Sequence, residues 1–240
     1  MRAIGFSTGA LAKGDFRTAL QMHQESALEA HAIELSALRD RELTTLIEAI
    51  PSLCLSAFQY VSFHAPGRIE QWSEMDVVDA LFSLPDDWPI IVHPEMLSSP
   101  HLWRPLGERL CIENMDNRKS FGRTLNEMQE LFDTFPDATF CLDVGHARQV
   151  DPTMREALAM LRQLGGRLRQ LHVSDVGSEG EHMRLETRAR LAFAELAQHV
   201  PEGCPIIIES VITSVSDMVA ELDAVASAFL PSPRRGEHLV

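Results

Sequence analysis

Acidic and imidazole side chains stand at the ends of short apolar segments throughout this 240-residue chain. The segments are runs of Ile, Val, Leu or Phe that have the length of β-strands. Seven consecutive segments end in this way, with Glu34, His64, His93, Glu113, Asp143 followed by His146, His172 followed by Asp175, and Glu209. Carboxylates and neutral imidazoles together are ligands for divalent transition metals. These residue types therefore predict metal chemistry, provided that the fold brings the segment ends together.

The set of polar ends is more informative than any one of them. A single acid or histidine after an apolar run is explained by solvent exposure at the end of a strand and does not indicate a functional site. Several carboxylates at one place, however, repel each other unless cations or shared protons compensate. Mixed imidazole and carboxylate sets suit Zn, Mn, Fe or Co rather than Ca, and none of the four cysteines lies at these ends. The pattern predicts a divalent metal centre without thiolate ligands.

The apolar segments recur at a nearly constant interval, which indicates the elements that position them. They begin near Arg2, His31, Tyr60, Pro89, Leu110, Thr139, Leu168 and Pro205, and five of the seven intervals are 29 residues long. A strand, a helix and their connecting turns together use about 30 residues. The intervening stretches carry apolar residues at helical spacing, for example in 16–30 and 154–164. The sequence thus predicts an α/β protein with a (β/α)8 TIM barrel.

An open, doubly wound parallel sheet is the alternative architecture. It is disfavoured because neither a GxGxxG nor a GxxxxGK[ST] loop follows any predicted strand. We expect residues 1–230 to form a single barrel and residues 231–240, rich in Pro, Arg and Gly, to form a flexible tail. In a parallel barrel the C-terminal ends of all strands lie at one face, where barrel enzymes have their active sites. The polar segment ends are predicted to converge there.

The composition narrows the possible partners. Hydrophobic residues make up 45% and charged residues 23% of the chain, and the formal net charge is −14. An acidic chain repels phosphate backbones, so we expect no nucleic-acid partner. No run of about 18 apolar residues occurs, and the first residues do not resemble a signal peptide. We therefore expect a cytoplasmic protein that has no membrane partner and acts on a small-molecule substrate, with its oligomeric state left open.

The segments IIVHPE, CIENMD, CLDVGHA, LHVSDVGSEGEH and PIIIES resemble the xylose-isomerase-like TIM barrels. That superfamily includes sugar isomerases and epimerases as well as apurinic endonucleases of the endonuclease-four type. The resemblance implies a shared metal site on strands five to eight, made by Glu113, Asp143, His172 and Glu209. In the isomerase and epimerase branch the two glutamates also flank the substrate. By this resemblance, Glu113 and Glu209 are the catalytic residues that move protons.

The endonuclease branch of the superfamily uses three zinc ions. The resemblance implies a first site made by His64, His93 and Glu113, with Glu113 bridging to the shared site. A third site needs His146 and an Asp-x-His pair. His182 matches the histidine of that pair, whereas Gly180 occupies the position of the aspartate, and Glu179 or Glu181 would be out of register. The sequence therefore departs from the family at the third site.

Three functional hypotheses follow. The first, which the acidic charge favours, is a metal-dependent isomerase or epimerase that acts on a small sugar or hydroxy-carbonyl compound through an enediolate. The second is a metal-dependent hydrolase, for example of a phosphodiester, in which a hydroxide bridges two ions. The third is a barrel that binds a metal or ligand without catalysis. Four arginines after predicted strand ends could hold a substrate anion, although we interpret each as a solvated surface residue: Arg39, Arg68, Arg118 and Arg148.

Overall fold

Eight parallel strands form a closed barrel in the computed structural model, which describes residues 2–12, 15–26, 28 and 30–230. The barrel strands are β1 (Ile4–Ser7), β2 (Ala32–Ser36), β3 (Tyr60–His64), β4 (Ile90–Val92), β5 (Leu110–Glu113), β6 (Thr139–Asp143), β7 (Leu168–Val173) and β10 (Ile206–Ile208). Between β7 and β10, the short strands β8 (Asp175–Val176) and β9 (His182–Met183) pair as an antiparallel hairpin. The barrel closes where β10 pairs with β1. The predicted barrel fold is confirmed.

The connections between the barrel strands contain the helices. They are α1 (Phe16–Ser26), α2 (Asp40–Ala49), α3 (Glu74–Leu81), α4 (Pro100–Trp103), α5 (Leu125–Thr134), α6 (Val144–Val150), α7 (Arg155–Leu164), α8 (Thr187–Ala197) and α9 (Val215–Phe229). Ser73 and Thr124 begin α3 and α5 with capping boxes. Two features differ from the sequence pattern: α1 ends at Ser26 rather than near residue 30, and α6 was not predicted. The latter is short, and it starts directly at the end of β6.

Side chains along each strand point alternately outward, toward the helices, and inward, into the barrel. The structure therefore has an outer core and a barrel interior. Outward residues such as Ile33, Phe63 and Phe140 are fully buried in the main cluster between barrel and helices. Their neighbours in sequence point into the barrel, because successive side chains of a strand lie on opposite faces. At the lower levels these inward residues form small separate apolar clusters, which include Ile91, Cys111 and Cys141. The polar residues predicted to bind metal occupy the upper inward positions or the segments that follow them.

Two expectations from the sequence concern the chain outside the barrel. No helix in the described ranges is both long and apolar enough to cross a membrane. Residues 231–240, expected to be a flexible tail, lie outside the described residues.

Candidate metal centre

All eight residues predicted as metal ligands lie at the C-terminal mouth of the barrel. They end or follow successive elements: His64 in β3, His93 after β4, Glu113 in β5, Asp143 in β6, His146 in α6, His172 in β7, His182 in β9 and Glu209 after β10. Together with Glu34 of β2, they form four overlapping sets of three or four residues whose ligand atoms lie within 4.8 Å of one another. The barrel therefore gathers side chains that are far apart in sequence into one cluster that could hold metal ions.

Glu113 lies at the centre of this cluster, and its side chain is 1% exposed. Its Oε2 atom lies 3.2 Å from Nε2 of His64 and 3.2 Å from Nε2 of His93. Its Oε1 atom lies 3.2 Å from Nδ1 of His172 and 3.4 Å from Nδ1 of His146. The two oxygens of one carboxylate thus face two separate pairs of histidines. This is the arrangement of a carboxylate that can bridge two ions.

The core set places three carboxylates around one histidine. Nδ1 of His172 lies 3.4 Å from Oε2 of Glu209, on the side where it also faces Glu113. Asp143 accepts the backbone N–H of His146 through Oδ1, whereas its buried Oδ2 has no hydrogen-bond partner in the described part of the chain. Such an orphaned, buried carboxylate oxygen is costly unless a cation or proton completes it. The donor set and this free oxygen both fit a divalent metal ion.

A third set contains Asp143, His146 and His182. The ring of His146 is oriented by its Nδ1, which donates to the carbonyl of Asn114 at 2.9 Å. Its Nε2 lies 4.0 Å from Oδ2 of Asp116. Nδ1 of His182 lies 3.5 Å from Oε2 of Glu209. These histidines converge although the aspartate that the resemblance requires is missing. The carboxylates nearest to them are Glu113 and Asp143, each 3.4 Å from Nδ1 of His146, and Glu209 beside His182.

The place of the missing aspartate is filled by an arginine. Gly180 has a left-handed backbone with φ of +77°, and a Cβ atom there would lie 1.8 Å from Cζ of Arg118. The guanidinium of Arg118 therefore lies directly over the glycine. Its Nε donates to Oδ2 of Asp116 at 3.0 Å, and its Nη1 donates to the carbonyl of Glu179 at 2.8 Å. The departure from the family pattern thus replaces an acid with a cation at the mouth.

The unpredicted helix α6 explains how His146 reaches the cluster. Asp143 ends β6 and also caps α6, because its side chain accepts the N–H of His146. Gly145 follows in the first turn, and a Cβ atom there would lie 2.5 Å from the carbonyl oxygen of Ser174. Only a glycine allows the helix to pack this closely against the end of β7. The DVGH segment therefore places one carboxylate and one imidazole side by side.

The ionisable side chains of the site shift one another's pKa values. Burial opposes ionisation of Glu113, but the charge of His172 and hydrogen bonds from three histidines hold the pKa of Glu113 well below its usual range. Burial also lowers the pKa of His64, yet the hydrogen bond to Glu113 and nearby carboxylates outweigh it and raise the pKa of His64 to about 9. Burial and the charges of Glu113 and Glu209 raise the pKa of Asp143 well above its usual range. A metal ion that binds here would therefore displace protons from His64 and Asp143, whereas Glu113 is already ionised.

A cavity of about 300 Å³ opens above the cluster. Glu113, His146 and Glu209 line its base, whereas Leu38 and Val211 contribute apolar surface. Arg118 and Lys119 also line it and bring positive charge, although each is paired with a carboxylate, Asp116 and Glu95 respectively. The volume suits a small molecule.

The four arginines considered from the sequence divide into two groups. Arg39 and Arg68 pair with Glu70, and Arg148 pairs with Asp175 at 2.7 Å. Only Arg118 among the four lines the cavity. Its side chain is also 48% exposed, as its interpretation as a solvated surface residue predicts.

Sequence reasoning also left out three side chains that belong to the centre: Glu34, Asn114 and Asp116. Glu34 ends an apolar segment as the chosen ligands do, and the other two lie within the CIENMD segment. Asn114 holds β6 in place, since its side chain exchanges hydrogen bonds with the backbone of Asp143. The position of these residues was visible in the sequence, but their partners were not.

No protein-family model matches the sequence, and no curated protein is significantly similar to it. Solved structures do match it. Endonuclease IV from Thermus thermophilus is 18% identical, with a TM-score of 0.58 over 94% of this chain and 98% of that one. The 3-keto-D-glucoside 4-epimerase YcjR from E. coli is 15% identical, with a TM-score of 0.55 over 95% and 99% of the two chains.

A third match is a xylose isomerase-like TIM barrel protein from Mycobacterium smegmatis, solved in complex with magnesium. It is 12% identical, with a TM-score of 0.52 over 88% of each chain. At these identities the likeness establishes the fold. This chain has the fold of the xylose-isomerase-like TIM barrels.

Proposed function

We propose that this protein is a metal-dependent hydrolase of a small phosphate ester, with a centre of at least two divalent ions. One observation carries the proposal: the two oxygens of Glu113 face different pairs of histidines. With two ions bound, a carboxylate placed in this way would be held between them and would not be free to move a proton between carbon atoms of a substrate. The geometry therefore favours the second of the three hypotheses over the first.

The ligands divide between two ions. His64 and His93 would hold one ion from one side of Glu113. Asp143, His172 and Glu209 would hold the other from the opposite side. When bound, a pair of divalent ions activates water and stabilises the charge that develops on a phosphoryl oxygen. Zn, Mn, Fe and Co suit this mixed imidazole and carboxylate set.

Arg118 is the residue of this chain best placed to orient an anionic substrate. Its guanidinium has five N–H groups. Two contact Asp116 and one contacts the carbonyl of Glu179. Two N–H groups are left, and the side chain lines the cavity. These groups can donate to phosphate oxygens at the wall while the ester bond lies above the carboxylate cluster.

The isomerase or epimerase hypothesis remains as a second candidate, and Glu209 is the observation that favours it. Its side chain is 12% exposed and lines the cavity, whereas Asp143 is fully buried. Its pKa is about 2, because the charge of His172 and a hydrogen bond from that residue outweigh the effect of burial. Glu209 is therefore ionised at neutral pH and is placed to take a proton from a substrate, although so low a pKa makes it a weak base. The structural matches include both an endonuclease and an epimerase, so they do not choose between the candidates.

Metal content and two assays test the proposal. Purified protein, prepared without chelator, is expected to hold at least two ions per chain and to hydrolyse bis(4-nitrophenyl) phosphate. His64→Ala combined with His93→Ala should remove at least one ion and lower hydrolysis about 100-fold or more. The matched control is His101→Ala combined with His199→Ala, since both residues are exposed and neither belongs to a ligand set. The control should behave like the parent protein.

Other results would contradict the hydrolase. A single ion per chain, with solvent proton exchange into hydroxy-carbonyl compounds that Glu209→Gln abolishes, would establish the isomerase or epimerase instead. Protein that binds no ion even when divalent metals are supplied would support a barrel that binds a ligand without metal catalysis.

A further inference from the structure

A buried carboxylate inside the barrel contacts the side of His172 that faces away from Glu113. Glu34 belongs to β2 and is fully buried inside the barrel. Its Oε2 atom accepts hydrogen bonds from Ser62 at 2.9 Å and from the side-chain amide of Gln170 at 2.8 Å. Nε2 of His172 lies 3.1 Å from the same oxygen. Nothing in the proposed hydrolysis uses this residue.

Hydrogen bonds around Gln170 fix the orientation of its amide. Tyr60 donates to the amide oxygen of Gln170 at 2.7 Å, and the amide nitrogen donates to Oε2 of Glu34. The opposite orientation would place two acceptor oxygens against each other. The same nitrogen lies 2.8 Å from Nε2 of His172. An amide nitrogen only donates, so it accepts no hydrogen bond from the ring. When Nε2 of His172 carries a proton, both N–H groups therefore point to Oε2 of Glu34.

Carboxylates face both ring nitrogens of His172, so the position of a metal ion decides which nitrogen carries the proton. Nδ1 of His172 faces Glu113 and Glu209 and is the nitrogen available to a metal ion. The ring proton must then lie on Nε2. Oε2 of Glu34, at 3.1 Å, is the carboxylate oxygen that accepts from that nitrogen.

Two other histidines of the centre are anchored differently. Nδ1 of His64 donates to the carbonyl of Ala65 at 2.7 Å, and Nδ1 of His146 donates to the carbonyl of Asn114. In both cases the acceptor is a neutral backbone group. Of these three histidines, only His172 has its second ring nitrogen hydrogen-bonded to a carboxylate. A carboxylate raises the basicity of the ring nitrogen that faces the metal more strongly than a carbonyl does.

Glu34 also carries a cost that packing alone does not explain. Its Oε1 atom is buried and has no hydrogen-bond partner in the described part of the chain. An apolar side chain of similar size at this position would avoid that desolvation. The neighbouring inward residue on the same strand, Ala32, is apolar and fully buried. The carboxylate is therefore explained by what it does to His172.

We propose that Glu34 is a positioning residue of the metal centre. It holds the proton of His172 on Nε2, keeps Nδ1 available to the ion, and increases the affinity of the core set by its negative charge. The inference rests on the metal centre of the proposed function, but not on which reaction that centre performs.

Metal titration of two variants tests this role. We expect Glu34→Gln to raise the dissociation constant for Mn²⁺ about 10-fold, because the amide keeps an acceptor but loses the charge. Glu34→Met should raise it about 100-fold, because both are lost. The constants are measured on chelator-treated protein by competition with a chromophoric chelator. The absorption spectrum of the Co²⁺ form reports the ligand field of the core ion independently of activity.

Ser62→Ala is the matched control. Ser62 is equally buried and donates to the same oxygen of Glu34, but it does not contact His172. This variant should change the Mn²⁺ dissociation constant less than about threefold. Melting curves of the metal-free proteins supply the second readout. Glu34→Met should melt at the same temperature as the parent or higher, since it removes a buried charge.

The outcomes separate this inference from the proposed function. If the parent protein binds no Mn²⁺, the metal centre itself is wrong. If the parent binds Mn²⁺ and both Glu34 variants bind it within about threefold as tightly, only the role of Glu34 is wrong. If Glu34→Met does not fold, Glu34→Gln and Ser62→Ala decide the question, because both keep the volume of the site nearly unchanged.

Discussion

The lower and upper levels of the barrel interior are built by the same strands and have opposite characters. Residues two apart on one strand share a face, so each strand supplies one residue to each level. The lower level has Ala32, Cys111 and Cys141, and the upper level has Glu34, Glu113 and Asp143 at the next inward positions of the same strands. From one inward position of a strand to the next, two residues further on, the interior thus changes from packed apolar side chains to a network of charged ones.

This contrast shows how the barrel tolerates the unfavourable free energy of burying several carboxylates. The lower level and the outer core bury apolar side chains and stabilise the fold. The upper level buries several carboxylates, and the raised pKa of Asp143, caused by burial and by two neighbouring charges, shows that they repel each other. The lower level thus stabilises the fold, and the upper level holds the side chains of the proposed metal centre. Substitutions at the two levels should therefore affect different measurements.

Glu113→Gln should have the largest effect at the upper level. The change removes the charge shared by both pairs of histidines. We expect at least about 100-fold weaker binding of both ions, and loss of hydrolysis with it. Metal analysis of the purified variant measures this directly. Two ions retained at full occupancy would show that Glu113 does not bridge them.

Ile91→Ala should have the complementary effect at the lower level. Ile91 is fully buried in a cluster with Cys111 and Cys141. Removing its side chain should lower the free energy of unfolding by about 2–5 kcal/mol through lost burial and a residual cavity. Denaturant unfolding of the metal-free protein measures the loss. Metal content per folded chain should not change, and a lower content would mean that the two levels are not independent.

Removing the ions should destabilise the folded protein without altering the fold. At a free metal concentration of about 100 times the dissociation constant, binding contributes about 2.7 kcal/mol. For a chain of this size, chelation should lower Tm by roughly 5–10 °C. Melting with and without chelator tests this expectation, with Ile91→Ala showing the same metal-dependent increment. An unchanged Tm in the parent would argue against ions in the upper level.

Metal affinity should rise with pH because ions compete with protons. The raised pKa of His64, about 9 through its contact with Glu113, keeps this ring protonated in the metal-free protein at neutral pH. Below that pKa, release of one proton makes the apparent affinity about tenfold higher per pH unit. Titrations at about pH 7 and pH 8 measure the slope for the parent protein. In His64→Ala the slope should be shallower, and an equal slope would assign the proton to another group.

His182→Ala should have the smallest effect among these changes. His182 belongs only to the set that lacks the family's aspartate, and its side chain is 24% exposed. We expect less than about threefold change in the affinities of the two ions that share Glu113. Metal analysis would detect any third ion by its loss. A large drop in all bound metal would show that this loop completes the core site.

The sequence by itself determined the barrel and the ligand types. The repeated interval of 29 residues and the apolar runs are local signals, and a parallel barrel necessarily brings strand ends to one face. That reasoning placed Glu113, Asp143 and Glu209 at the mouth. Whether they bind metal remains a prediction.

Only the tertiary structure decided which of these residues touch. Gln170 and Glu34 are 136 positions apart and meet across the barrel interior. Arg118 lies over Gly180 because two loops from different strands converge there. Such contacts depend on the tilt and stagger of the strands around the closed barrel, which no local pattern encodes. The contacts of the two Glu113 oxygens with different pairs of histidines are a further example. They favour hydrolysis over isomerisation as the proposed function.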